Sequence, residues 1–141
     1  ETAATPASAL LLIMRMFPGA AEVREMLSEC ARFGLEAVCE VFDEADLDLA
    51  RWAGAAIIQV NNRDLDTLAT DLDISRRLVR VRGRGELWIS ASGLETPQQL
   101  AEMADLGFDA VLIGTSLMSQ ADPGAALKTL TAVAKNRSRT T

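Results

Sequence analysis

Ile58-Gln59-Val60-Asn61-Asn62-Arg63-Asp64-Leu65 sets a mostly apolar run directly against two amides, a guanidinium and a carboxylate. A short run of this kind, with polar chemistry where it finishes, reads as a strand buried on both faces that ends at a functional rim. Working outward, this third block begins near Ala55, and four others share its character: Ala9 to Phe17, Leu35 to Phe42, Glu86 to Ala91 and Ala110 to Ile113. Helical patterns fill the gaps. Val23, Met26, Leu27 and Cys30 recur at helical spacing within Ala20 to Phe33, and Gly34 supplies the stop. Asp43 is placed to cap a second helix, with Glu44 and Asp46 in its first turn and Gly54 at its end. Thr96-Pro97-Gln98-Gln99 has Thr at the N-cap, Pro at N1 and Gln at N3, and Gly107 ends that helix. Asp122-Pro123 opens the last one.

The order is therefore βαβαβαβαβα over residues 1–135, with residues 136–141 expected as a frayed tail. Strand spacing of about 20 to 30 residues suits right-handed crossovers. An open doubly wound sheet and part of a (β/α)8 barrel both fit this order, since 141 residues fall short of the roughly 200 that a whole barrel needs.

Composition narrows the function. Hydrophobic residues make up 49%, in blocks, which excludes a disordered chain, and the longest apolar run is far below the roughly 18 residues of a membrane span. A net charge of −6 argues against nucleic acid as a partner but leaves room for one small phosphorylated ligand held by backbone N–H groups. With no His in the chain, a Ser-His-Asp or Cys-His unit cannot form within it, and Cys30 and Cys39 alone cannot build a zinc site. The two thiols read as small buried hydrophobes in a reducing cytoplasm. Glu1 to Ser8 lacks the basic start of a signal peptide and reads as the continuation of a longer sequence.

The candidate chemistry sits at strand ends, where both folds place it. Glu40 lies inside the apolar Val38-Cys39-Glu40-Val41. It is either a solvated edge carboxylate or one aimed into a polar site as a proton donor or acceptor. Asn61, Asn62 and Arg63 suit an anionic, hydroxylated ligand, or an Asx turn that opens a loop. Ser92-Gly93 and Gly114-Thr115 follow the last two strands, where glycine lets backbone approach a phosphate closely. Arg76, Arg77, Arg80, Arg82 and Arg84 are expected as a solvated helix end, the acids from Asp43 to Asp48 as a helix start facing water, and Trp52 and Trp88 as core or sheet-covering residues.

In order, these segments resemble indole-3-glycerol phosphate synthase, the (β/α)8 enzyme of tryptophan biosynthesis. The carriers are Ala9 to Ile13, Ala37 to Glu44, Ile58 to Leu65, Ile89 to Leu94, Ala110 to Met118 and Asp122 to Leu127. The resemblance implies an α/β fold, a partial (β/α)8 barrel of about five βα units corresponding to strands four to eight. It implies a carbon–carbon lyase that closes an indole ring on an anilino-deoxyribulose phosphate with loss of carbon dioxide and water. It further implies Glu40 in proton transfer, Asn61, Arg63 and Ser92 against substrate, and Ser92, Gly93, Gly114 and Thr115 around the phosphate, with no metal or organic cofactor. The chain departs from the family in three ways. Ala91 stands where a Glu is usual, Phe42 where a His is usual, and the only lysines, Lys128 and Lys135, lie outside the strands. The resemblance thus implies a chain inactive alone, whose exposed first strand pairs with a further copy or a missing N-terminal segment. A non-catalytic half-barrel that binds phosphate or serves assembly is the second reading, and a related phosphate-binding barrel such as the isomerase of the same pathway is the third.

Overall fold

The computed structural model describes residues 2–137, the last five of them as backbone only. Five strands alternate with helices: β1 (Ala9–Ile13), α1 (Ala20–Arg32), β2 (Glu36–Val41), α2 (Glu44–Ala53), β3 (Ile57–Asn61), α3 (Asp73–Leu78), β4 (Leu87–Ala91), α4 (Pro97–Leu106), β5 (Ala110–Leu112), α5 (Thr115–Met118) and α6 (Pro123–Arg137). All pairings are parallel and the spatial order is β1-β2-β3-β4-β5. This order decides between the two folds left open by the pattern. A doubly wound sheet reverses direction at a switch point, whereas here each strand sits beside its predecessor, as in a section of barrel.

Side-chain alternation agrees. Leu12, Cys39, Ile58 and Trp88 share one register row, and Val41 and Val60 lie in the next; all are buried in a core with Val23, Leu47, Leu78 and Met103. The opposite set, including Leu11, Val38, Ile57, Leu87 and Leu112, has no member in that core. Helices thus cover one face of the sheet, and the other is the inner face of a partial barrel.

Local chemistry places the helix ends. Asp43 accepts the Asp46 N–H at 2.9 Å, and Thr96 forms a full capping box with Gln99. Gly54 and Gly107 end α2 and α4 in the left-handed region, at φ 93° and 97°, where an L side chain is strained. β1 stops at Ile13, and the apolar block runs on as a short 3₁₀ turn, Met14–Met16. Part of the tail expected over residues 136–141 lies outside the described residues; α6 itself reaches Arg137.

Three expectations are corrected. Trp88 is fully buried, edge-on to Phe108 at 6.0 Å, but Trp52 is 70% exposed on α2 and covers no sheet. Asp46 does not face water: it is buried, takes the Phe42 N–H at 3.0 Å and pairs with Arg15 at 3.2 Å. The arginine run is no simple solvated helix end. Arg76 bridges to Glu102 at 2.6 Å, Arg77 to Glu44 at 2.7 Å, and Arg82 to Asp109 at 2.8 Å and to the Gly107 carbonyl. These contacts tie α3 and the turn after it to α2, to the end of α4 and to the start of β5.

Candidate functional site

The C-terminal ends of β3, β4 and β5 surround a cleft of about 180 Å³. Its walls are Arg63, Ser92 to Glu95 and Leu112 to Ser116. Five of the residues singled out in the sequence meet there: Arg63, Ser92, Gly93, Gly114 and Thr115. The volume falls below the roughly 300 Å³ of a typical small-molecule site, so the cleft suits one compact group rather than a whole substrate. Arg63 brings the cation, Glu95 an opposing carboxylate, and the glycine-bearing turns bring backbone.

Each wall has a local cause. Arg63 Nη1 donates to the Leu68 carbonyl at 3.0 Å, and Arg63 forms an antiparallel bridge with Thr70. The intervening loop is held by Asp64, whose carboxylate accepts the Thr67 N–H at 2.7 Å and its hydroxyl at 2.9 Å. Those bonds hold the Asp64 carboxyl below the usual carboxylate range. After β4 the backbone turns left-handed twice, at Ser92 (φ 68°) and Gly93 (φ 73°). A Cβ on Gly93 would stand 3.0 Å from that of Thr70, so any larger residue there is both strained and crowded. Ser92 bears this conformation at a cost of roughly 1 kcal/mol or more, and such strain beside a cleft is characteristic of functional turns. At Gly114 a Cβ would meet nothing within 4 Å, because that position borders open space. Ser116 Oγ donates to the Leu94 carbonyl at 2.9 Å and joins the two final loops.

Asn62 departs from its expected role. It is fully buried, facing the helices rather than a ligand. Its amide nitrogen lies 3.0 Å from Ser90 Oγ, 2.9 Å from the Ala91 carbonyl and 3.1 Å from the Ser92 carbonyl, while its oxygen accepts the Ser75 N–H at 3.1 Å. Asn62 is thus the clamp that fixes the strained turn at the end of β4. Asn61 faces the other way by strand alternation. Its side-chain oxygen accepts the Arg63 N–H at 3.0 Å, the local turn that the sequence also allowed, and its NH₂ engages no described residue.

Glu40 and Asn61 do not line the cleft. Glu40 lies one strand beyond β3, 5% exposed, in an inner-face row with Ile13, Gln59, Ile89 and Ala110. The solvated-edge reading of Glu40 therefore fails, because burial is nearly complete. Gln59 Nε2 donates to Glu40 Oε2 at 2.6 Å, leaving Oε1 without a described partner. Sequence reasoning missed Gln59. Its signal was position: two residues before Asn61 on a strand, it shares that residue's face.

Above Glu40, Phe42 is buried yet lies outside the helix-facing core. The Arg15 guanidinium stacks on its ring at 3.8 Å and reaches Asp43 at 3.6 Å. The two thiols are free and buried, and burial pushes Cys39 up to about 11. Among the described residues, no cluster of His, Cys, Asp and Glu could hold a metal ion, and no helix is long and apolar enough to cross a membrane.

Comparison with known proteins identifies the family and the fold. A sequence model of the family described as indole-3-glycerol phosphate synthase matches residues 1–130. The chain is 38% identical over 130 residues to the indole-3-glycerol phosphate synthase of Magnetococcus marinus, covering 92% of this chain and 48% of the relative. It is 40% identical over 127 residues to that of Syntrophobacter fumaroxidans, covering 90% and 48%. The chain thus spans about half the length of the curated relatives it matches. Among solved structures, 3-hexulose-6-phosphate synthase from Salmonella typhimurium superposes with a TM-score of 0.76 at 20% identity, over 93% of this chain and 63% of that one. Thiamine phosphate pyrophosphorylase from Pyrococcus furiosus gives 0.73 at 17%, over 96% and 63%. At such identities the structural likeness speaks for the fold alone.

Proposed function

The chain belongs to the indole-3-glycerol phosphate synthase family, and on that premise we propose that it forms the phosphate-binding, later-strand part of a lyase of tryptophan biosynthesis. The observation that carries this reading is the cleft, which gathers Arg63, Ser92, Gly93, Gly114 and Thr115 from three strand ends. Backbone at two glycine turns and one guanidinium can hold a phosphate without lysine. The 180 Å³ volume fits that group, with the remainder of an anilino-deoxyribulose phosphate lying over the inner face towards Asn61 and Glu40. Asn61 offers its NH₂ to a substrate hydroxyl. Glu40 presents one oxygen to the inner face while Gln59 fixes the other, a geometry suited to moving a proton.

The chain alone is proposed to be inactive. Decarboxylating ring closure expels hydroxide and needs an acid, which the family draws from lysines on early strands. The lysines here, Lys128 and Lys135, are both on α6, and Ala91 leaves no carboxylate at its rim position. Turnover is therefore proposed to need the acid that the family carries on its early strands. Ala91, and the position of Glu40 outside the cleft, favour a second reading: a half-barrel that binds phosphate or serves assembly without chemistry. In either reading the partners are a phosphorylated small molecule and protein, not nucleic acid or membrane. The free thiols support a cytoplasmic setting.

Calorimetric titration of indole-3-glycerol phosphate, with inorganic phosphate as control, tests the proposal. Saturable binding is expected, and its loss in Gly114→Asp, a substitution with open space around its Cβ. No binding to a folded chain would overturn an assembled cradle. Indole-ring formation by the purified chain would overturn the proposed inactivity.

A further inference from the structure

The cleft at the ends of β3, β4 and β5 has a charge balance that phosphate binding alone does not explain. Among its walls two side chains are charged, Arg63 and Glu95, and their charges cancel. A phosphate monoester brings roughly −1.5 to −2 at neutral pH. A site for the full dianion gathers cations, whereas a carboxylate within it repels that form. Glu95 adds no backbone donor in exchange, because its N–H already bonds to Gln99 Oε1 at 2.8 Å. What it brings is an acceptor, beside the donors of the Arg63 guanidinium, the Ser92 and Thr115 hydroxyls and the glycine turns.

The surrounding acids are engaged elsewhere. Asp64 accepts from Thr67 and from the Asp66 N–H. Asp71 accepts the Asp73 N–H at 2.9 Å, Asp73 and Glu102 pair with Arg76, and Asp122 accepts the Ala125 N–H at 2.9 Å. The chain has no His, so none of its side chains ordinarily titrates between about pH 5 and 8, and burial moves both thiols further above that range. Within it the group that changes charge is the ligand, whose second ionisation falls near about pH 6.

We propose that Glu95 makes the cleft selective for a phosphate monoester in its singly protonated form. The Glu95 carboxylate accepts the hydrogen bond of the P–OH group, a charge-assisted contact, while Arg63 and the turns after β4 and β5 hold the other oxygens. Sulfate has the same shape and no proton to donate over this range, so the same carboxylate repels it. Selectivity thus comes from a repulsive element as well as an attractive one. It rests on the cleft being the phosphate site of the proposed function.

Calorimetric titration of the full chain with glycerol 3-phosphate and with sulfate, at about pH 5.5 and about pH 8 and constant ionic strength, tests this selectivity. The expected result is ester affinity roughly tenfold higher at the lower pH, with sulfate roughly tenfold weaker than the ester there. Glu95 is exposed, so Glu95→Gln keeps the fold and the N–H bond to Gln99. This variant is expected to gain about tenfold for the ester at the higher pH and to lose most of both preferences. Ester affinity that is flat or rises with pH in the parent chain overturns the proposal, and so does equal affinity for sulfate. A pH dependence that persists unchanged in Glu95→Gln overturns the role of Glu95. Each of these results leaves the phosphate cradle standing. Absence of binding by either anion at both pH values overturns the cradle itself, and the selectivity with it.

Discussion

Replacing Asn62 by alanine removes a fully buried amide that links β3, β4 and α3. The cost follows from which partners lose their last bond. The Ala91 carbonyl keeps the Asn62 backbone N–H at 2.9 Å, and Ser90 Oγ keeps Ser75 Oγ at 2.8 Å. The Ser75 N–H and the Ser92 carbonyl keep nothing comparable. Two orphaned groups at about 1–3 kcal/mol each, with a small cavity, give roughly 3–5 kcal/mol. For a domain of this size that is a fall in Tm of roughly 10–15 °C, a large share of a typical total stability. The Ser92-Gly93 turn should also relax, so phosphate affinity should drop at temperatures where the variant is still folded. Thermal unfolding followed by circular dichroism measures the first effect and calorimetry the second. Asn61→Ala is the control: one residue away and facing the inner side, it should cost less than about 1 kcal/mol in stability and act mainly on ligand binding. If Asn61→Ala destabilises as much as Asn62→Ala, or if the latter shifts Tm by less than about 3 °C, the assignment of clamp and ligand roles is wrong.

Three further outcomes are expected. Gln59→Leu strands the buried Glu40 carboxylate and should cost about 2–3 kcal/mol, while Glu40→Leu/Gln59→Leu recovers most of it; a double variant less stable than the single refutes the pairing. Gly93→Ala forces a Cβ to 3.0 Å from Thr70 at φ 73° and should cost about 1–3 kcal/mol, whereas Gly114→Ala should leave Tm nearly unchanged; equal melting temperatures would refute the steric reading. Glu86 is held down to about 2, chiefly by the Arg51 guanidinium at 2.7 Å, with further bonds from the Gly83 N–H and the Trp88 indole. Because the folded value lies below the unfolded one, this stabilisation is present above about pH 4.5 and is lost as pH falls towards 2. Glu86→Gln should therefore lower Tm at neutral pH and converge with the parent protein near pH 2, and a gap that persists there would rule out the linkage.

The sequence by itself determined the strand and helix order, and for a local reason. A helix start is written within four residues, as in Thr96-Pro97-Gln98-Gln99, and a buried strand within five or six, so neither needs knowledge of the rest of the chain. The same locality made the strand-end motifs legible, and with them the family and five of the cleft residues. What pairs across the sequence was decided only by the tertiary structure. Alternation says that Asn61 and Asn62 face opposite ways, but which one meets the inner face depends on which face the helices cover. Gln59 reaches Glu40 because parallel register aligns β2 with β3, a relation between residues 19 apart that no local pattern encodes. The arginines looked solvated because their carboxylates, Glu102, Glu44 and Asp109, lie 26, 33 and 27 residues away. Trp52 and Trp88 look alike in sequence, yet Trp88 points from the sheet into the core, while Trp52 lies 70% exposed on the outer side of α2.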